Sequence, residues 1–192
     1  MSIETAVKAL NAHVITLSET KGKPPQIEGY SPWYTEKDKK DKGGGVAIAV
    51  KNEISKFCQP IEDLETQNQD VAWIQINLHN KEKLCIGCYY GKQENEDRQV
   101  VEREFSQLRS QIIKAKTIGQ VIMTGDINAK LKIEKEGITQ EISTNGELLQ
   151  TLLEDLELEA ISTKSNTGTW TRQHRQKTDE KSVIDYIIVE KK

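Results

Sequence analysis

Asp126 and Asn128 stand two residues apart where the apolar run VIMT meets Gly125, in the segment VIMTGDINAKL (residues 121–131). Alternate positions at a strand end point to the same side. The pair can therefore bring a carboxylate and an amide to one reacting group. Two further carboxylates share this kind of placement. Glu19 closes the run VITLSE, and Asp185 is set among Val183, Ile184, Ile187 and Ile188. A charge in such surroundings is costly unless it is partnered. Taken singly, each of these residues is the commoner thing: a cap, a turn residue or a satisfied buried group. Gathered at one sheet edge, they make an oxygen-donor cluster that suits a hard cation such as Mg²⁺.

Other chemistry is argued against. LCIGCYY is formally a CxxC, but KLCIGCYYG has the pattern of a strand, and residues three apart on a strand face opposite ways. The sequence has three cysteines, Cys58, Cys85 and Cys88, and no second CxxC or His pair to complete a metal tetrahedron. Buried thiols in a core strand are the expectation. A net charge of −3 over 192 residues gives no global nucleic-acid signature, so such binding would have to come from local patches. Nothing approaches the roughly 20 apolar residues of a membrane span, and the start, MSIETAVKAL, is neither a signal peptide nor a transit sequence. The expectation is a soluble intracellular protein.

The elements that would position these residues alternate along the chain. Residues 3 to 11 carry apolar positions at helical spacing, and HVITLSET reads as a short buried strand. KGKPPQIEGY and EKDKKDKGGG read as loops on either side of GYSPWYT. GVAIAVK follows as a strand, then DVAWIQINL and KLCIGCYYG as an antiparallel pair across the turn HNKE. Residues 97 to 116 form the clearest helix, with Val100, Val101, Phe105, Leu108, Ile112 and Ile113 on one stripe. QVIMTG is a strand, NGELLQTLLEDLEL a second helix, and EAIS, TGTWTR and SVIDYIIVE short strands. No repeat or linker divides the chain. A single mixed α/β domain spanning 1–192, with layered rather than purely parallel sheets, is predicted.

Six segments in register, LSETK, GGGVAIAV, CYYGKQE, MTGDINAK, TGTWTR and SVIDYIIV, resemble the successive motifs of the endonuclease/exonuclease/phosphatase superfamily. The GDxNA and TWT…IDYI wording is most similar to nuclease domains of non-LTR (LINE-type) retrotransposons. The resemblance implies a deoxyribonuclease I-like four-layer α/β sandwich, two packed, mixed, mainly antiparallel sheets flanked by helices. It also implies metal-dependent hydrolysis of DNA phosphodiesters with Mg²⁺ or Mn²⁺, and a nuclear location if the chain is retrotransposon-derived. Residue by residue, Glu19 would be the metal ligand. Asp126 and Asn128 would handle the attacking water and the phosphate, and Tyr89, with Tyr90 as the alternative, would place a hydroxyl at the phosphate or leaving group. Asp185 would orient a catalytic histidine, and Trp170 would pack beside the site.

Two departures from the family pattern bear on activity. The usual opening strand with its Asn is missing, and the usual Ser-Asp-His beyond IDYI is missing, since the sequence ends seven residues past Asp185. His13, His79 and His174 lie in other contexts. A fold truncated at both ends, with weakened or lost activity, is the expectation; a chain that survives as a binding module, or as part of a longer polyprotein, is the alternative. Unpaired edges and uncovered apolar surface would follow. DNA is the expected partner, through loop cations at Arg172, Arg175 and Lys177 that would hold the phosphate backbone in a salt-dependent way. A small-molecule phosphoesterase ranks last, for want of a hydrophobic or inositol-selective loop.

Overall fold

The computed structural model describes residues 3–21, 23–35, 44–61, 64, 70–135, 138–163, 170–173 and 181–191. Helix α1 (Ile3–Leu10) is followed by β1 (Val14–Ser18), β2 (Tyr30–Tyr34), β3 (Val46–Lys51), α2 (Asn52–Ser55), β4 (Cys58–Pro60), β5 (Val71–Asn77) and β6 (Lys83–Tyr89). Next come α3 (Arg98–Ile118), β7 (Gln120–Asp126), the hairpin β8 (Ile133–Lys135) and β9 (Ile138–Gln140), and α4 (Thr144–Asp155). β10 (Leu158–Ala160), the pair β11 (Arg172–Gln173) and β12 (Lys181–Ser182), and β13 (Asp185–Glu190) complete the chain.

Four layers follow from which face each strand gives to which neighbour. β3 is the middle strand of a three-stranded sheet ordered β1-β3-β2. Its Val46, Ile48 and Val50 pack on Ile74, Ile76, Ile86 and Cys88 of a six-stranded sheet. Its small Ala49 faces the other way, where Val7 of α1 and Ile27 lie. Burial on both faces explains why VAIAV alternates large with small rather than apolar with polar. The six-stranded sheet runs β10-β13-β7-β6-β5-β4, antiparallel throughout except for the parallel pair β6–β7. A parallel pair needs a crossover, and α3 supplies it.

The far face of the large sheet carries the main core. Val71, Trp73, Cys85, Tyr89, Val121 and Met123 meet Val101, Phe105, Leu108, Ile112 and Ala115 of α3 and Leu149, Leu152 and Leu153 of α4. Cys85 and Cys88 thus lie on opposite faces of β6, as strand geometry requires, and burial pushes the Cys85 thiol up to about 11 and the Cys88 thiol up to about 12. Both helices are capped by side chains: Asp97 accepts from the Gln99 N–H, and Ser143 from the Gly146 N–H. This is the mixed α/β layering expected from the sequence, with sheets flanked by helices.

Details differ from the sequence reading. The α3 stripe is narrower than expected, and Ile113 is 45% exposed. Strands β2, β4, β8 and β9 carry no clear signal because they are short or at an edge; Pro32 is tolerated in β2, which pairs only with β3 among the described residues. Within TGTWTR only Trp170 to Arg172 are described, and of these Arg172 alone is in a strand. Most of the EKDKKDKGGG loop, at 36–43, lies outside the described residues. β1 pairs only with β3 among the described residues, and Ile187 on β13 is 44% exposed. No described helix is long and apolar enough to cross a membrane.

Candidate active site

The C-terminal ends of β6 and β7 are pressed together more closely than side chains allow. A Cβ on Gly91 would sit 2.1 Å from the Ile127 carbonyl oxygen, and one on Gly125 2.0 Å from that of Tyr89. Gly125 also has φ +131, a conformation that favours glycine. The Gly91 N–H donates to the Asp126 carbonyl at 2.8 Å, and the Asn128 side-chain amide donates to the Gly91 carbonyl at 2.9 Å. Two glycines therefore set Tyr90, Asp126 and Asn128 side by side at one edge of the large sheet.

Asp126 and Asn128 are fixed locally as well. The Asn128 N–H donates to Asp126 Oδ1 at 3.0 Å, and Asn128 takes φ +51 to do so. Buried Asn145, at the start of α4, donates to the carbonyls of both Asn128 and Lys92. Tyr186 braces the next turn: its hydroxyl lies 2.8 Å from the Ala129 carbonyl and accepts from the Leu131 N–H. Asp185 stands directly across the β7–β13 ladder from Asp126. The IDYI motif thus sends Asp185 to the site and Tyr186 to its support.

Glu19 arrives from the other sheet. It follows β1 in a left-handed conformation, φ +56, and its carboxylate accepts from the Tyr90 hydroxyl at 2.7 Å. Burial raises the Asp126 pKa to about 6, with the Asn128 N–H opposing and the charges of Asp185 and Glu19 adding to the rise; Arg172 also opposes it. The structure therefore brings together Glu19, Asp126, Asn128, Asp185 and Arg172, and it is Tyr90 that completes the group.

Tyr89 does not reach this cluster, which corrects the role expected for it. Neighbours on a strand point to opposite faces, and the Tyr89 ring lies in the helix-side core with its hydroxyl 3.4 Å from Glu104. Burial drives its pKa up, with Glu104 adding to the effect. Tyr90 faces between the sheets, and burial with the Glu19 carboxylate pushes its hydroxyl up to about 12. No imidazole is placed beside Asp185 among the described residues: His13 pairs with Glu53 at the opposite end of β1, and His79 is in an exposed turn. His174, Arg175 and Lys177 lie outside the described residues.

The donor set at the cluster consists of carboxylate oxygens without thiol or imidazole, which matches a hard cation. Among the described residues no three His, Cys, Asp or Glu side chains form a ready ligand group. Beside the cluster opens a cleft of about 230 Å³, lined by Asn128, Lys130 and Arg172 on one side and Gln93, Glu94 and Asn95 on the other. Lys130 was missed in the sequence although it ends the quoted GDINAK. Its signal was its spacing, two residues past Asn128.

A model of the Endonuclease/Exonuclease/phosphatase family matches residues 2–191. Among solved structures, the Xenopus laevis APE2 catalytic domain is 15% identical with TM-score 0.72, the match covering 100% of this chain and 78% of that one. The Leishmania major AP endonuclease LMAP is 13% identical with TM-score 0.78, covering 97% and 72%. The human Nocturnin catalytic domain is 11% identical with TM-score 0.62, again covering 97% and 72%. A search of curated proteins finds no significant match. These likenesses establish a shared fold, and the family match spans nearly the whole sequence: the chain belongs to the endonuclease/exonuclease/phosphatase family, a family of hydrolytic nucleases and phosphatases.

Proposed function

We propose that this chain is an endonuclease that nicks DNA by hydrolysing a phosphodiester with a divalent cation, Mg²⁺ or Mn²⁺. The observation that carries the reading is the meeting of Glu19 and Tyr90 across the two sheets, 2.7 Å apart, beside an Asp126 whose pKa is raised to about 6. Glu19, with an accessible carboxylate, would hold the cation, and Asp126 and Asp185 add negative charge around it. Once bound, the cation would offset charge on the phosphoryl oxygens. Asp126 accepts the proton of the attacking water as its oxygen bonds to phosphorus and the ester P–O bond breaks. Asn128 keeps that carboxylate oriented through its backbone N–H and lines the cleft, its side-chain amide held by the Gly91 carbonyl. The Tyr90 hydroxyl stays protonated near neutral pH and points at Glu19; with that carboxylate engaged by the cation, its proton would be free to turn to the departing oxygen. Arg172 supplies positive charge near Asp126.

DNA is favoured as substrate by the polar cleft with its two cations and by AP endonucleases among the structural neighbours. The GDINA and TWT…IDYI wording supports the narrower reading of a nickase of the retrotransposon type. The test is conversion of supercoiled plasmid to open circle by the 192-residue chain in Mg²⁺, in Mn²⁺ and in EDTA. Metal-dependent nicking is the expected result. Hydrolysis of small phosphomonoesters without nicking would move the substrate class, and no hydrolysis of either would refute the reading.

The cleft gives a separate expectation. Lys130→Ala and Arg172→Ala each remove one phosphate contact, so duplex affinity measured by anisotropy should fall about three- to tenfold at low salt. The slope of log affinity against log salt should shrink by roughly 0.9 for each. An unchanged slope would show that the backbone runs elsewhere.

A further inference from the structure

Glu19 holds a left-handed backbone at an exposed strand end, φ +56, and Lys21 does so as well, φ +53. Such conformations persist in residues with a Cβ only where the surroundings enforce them. Here the Thr20 N–H donates to the Gly45 carbonyl at 3.1 Å and the Lys21 N–H to the Gly44 carbonyl at 2.9 Å. Gly44 and Gly45 are themselves left-handed, φ +74 and +82. Asp70, which is 3% exposed, holds the second of them: its Oδ1 accepts from the Gly45 N–H at 2.7 Å. Its Oδ2 accepts from Lys92 Nζ at 3.0 Å, and its backbone carbonyl accepts from the Tyr90 N–H at 2.8 Å. One residue thus grips both the turn that carries Glu19 and the strand end that carries Tyr90.

We propose that Asp70 is a positioning residue of the phosphodiester site, setting the Glu19–Tyr90 pair through Gly44 and Gly45 without touching substrate. The inference rests on the reading of Glu19 and Tyr90 as site residues. A buried carboxylate is retained there because its two oxygens serve different partners. One ties down a glycine pair able to hold the Glu19 turn. The other takes the Lys92 ammonium, which also lies 3.6 Å from Glu104 and keeps the buried charge compensated.

The test pairs a structural readout with a kinetic one. In Asp70→Ala, amide hydrogen exchange at Thr20 and Lys21 should accelerate about tenfold or more, while amides of β5 and β6 keep their protection. Asp70→Asn retains an oxygen acceptor for Gly45 and should recover most of that protection. In plasmid nicking, Asp70→Ala should lower kcat about tenfold, yet add almost nothing to the loss caused by Glu19→Gln, as expected of residues acting through one group. Unchanged exchange at Thr20 and Lys21 would overturn the proposal. So would uniform acceleration across β5 and β6, which marks a general structural role, or a double variant whose losses multiply. If the unaltered chain hydrolyses nothing, the functional reading fails, and the exchange data still decide whether Asp70 fixes the Glu19 turn.

Discussion

Asp126→Asn should lower phosphodiester hydrolysis by on the order of 10²–10⁴ while making the metal-free protein more stable above pH 7. The two effects share one cause. Burial and the charges of Asp185 and Glu19 raise the Asp126 pKa from 3.8 to about 6. A carboxyl whose folded pKa is raised contributes stability that is present in full below its unfolded value and lost as pH rises through about 6. In EDTA, therefore, wild-type melting temperature carries a penalty that grows between about pH 4 and pH 6 and is complete above about pH 7. Asn removes the charge, and its oxygen can still accept the Asn128 N–H. After discounting for partial exposure, the relief is about 1 kcal/mol, or roughly 2–4 °C for a chain of this size. Melting curves from about pH 4 to pH 8 in EDTA, beside nicking rates in Mg²⁺, read both effects. An activity loss without a stability gain would mean that burial and the neighbouring charges do not destabilise the carboxylate. A stability gain with activity intact would remove Asp126 from the chemistry.

The main lines of the fold were legible because its signals are local. The helical stripe of α3, the large–small alternation of β3 and the turn between β5 and β6 each sit within one stretch of sequence. Glu19, Asp126 and Asn128 were visible as polar residues closing apolar runs, and Asp185 as a carboxylate inside one, for the same reason. Side of sheet was harder. Tyr89 and Tyr90 are adjacent, and only strand phase tells which faces Glu19. That phase was available from CYYG: Cys88 and Tyr90 share one face, Cys85 and Tyr89 the other. Gly91 in the same segment answers the 2.1 Å approach of the Ile127 carbonyl oxygen, a contact no local pattern announces. Asp70 had no local signal at all. Its partners Gly45 and Lys92 lie 25 residues before and 22 residues after it, so its role exists only once the sheets are packed.

Tyr90→Phe should lower kcat by on the order of 10²–10³, the usual cost of removing one donor to developing charge, with KM little changed. Tyr89→Phe should leave kcat within about twofold and cost about 1 kcal/mol of stability, since it deletes a buried hydroxyl whose one contact is long. The contrast is sharp because the substitutions are chemically identical and one residue apart. Burial holds the Tyr90 hydroxyl near 12, so its donor proton remains in place across the neutral range, and its loss should be independent of pH from 6 to 9. A residue that acted as a titrating base would instead show a loss that varied with pH. Steady-state nicking by both variants at three pH values, with urea melts of each, separates the cases. A tenfold or larger loss from Tyr89→Phe, beside a near-normal Tyr90→Phe, would return the role to the buried tyrosine and require β6 to present its other face to the site. Equal, small losses from both would mean that the departing oxygen is served by another donor, with Arg172, whose charge is felt at Asp126, a candidate.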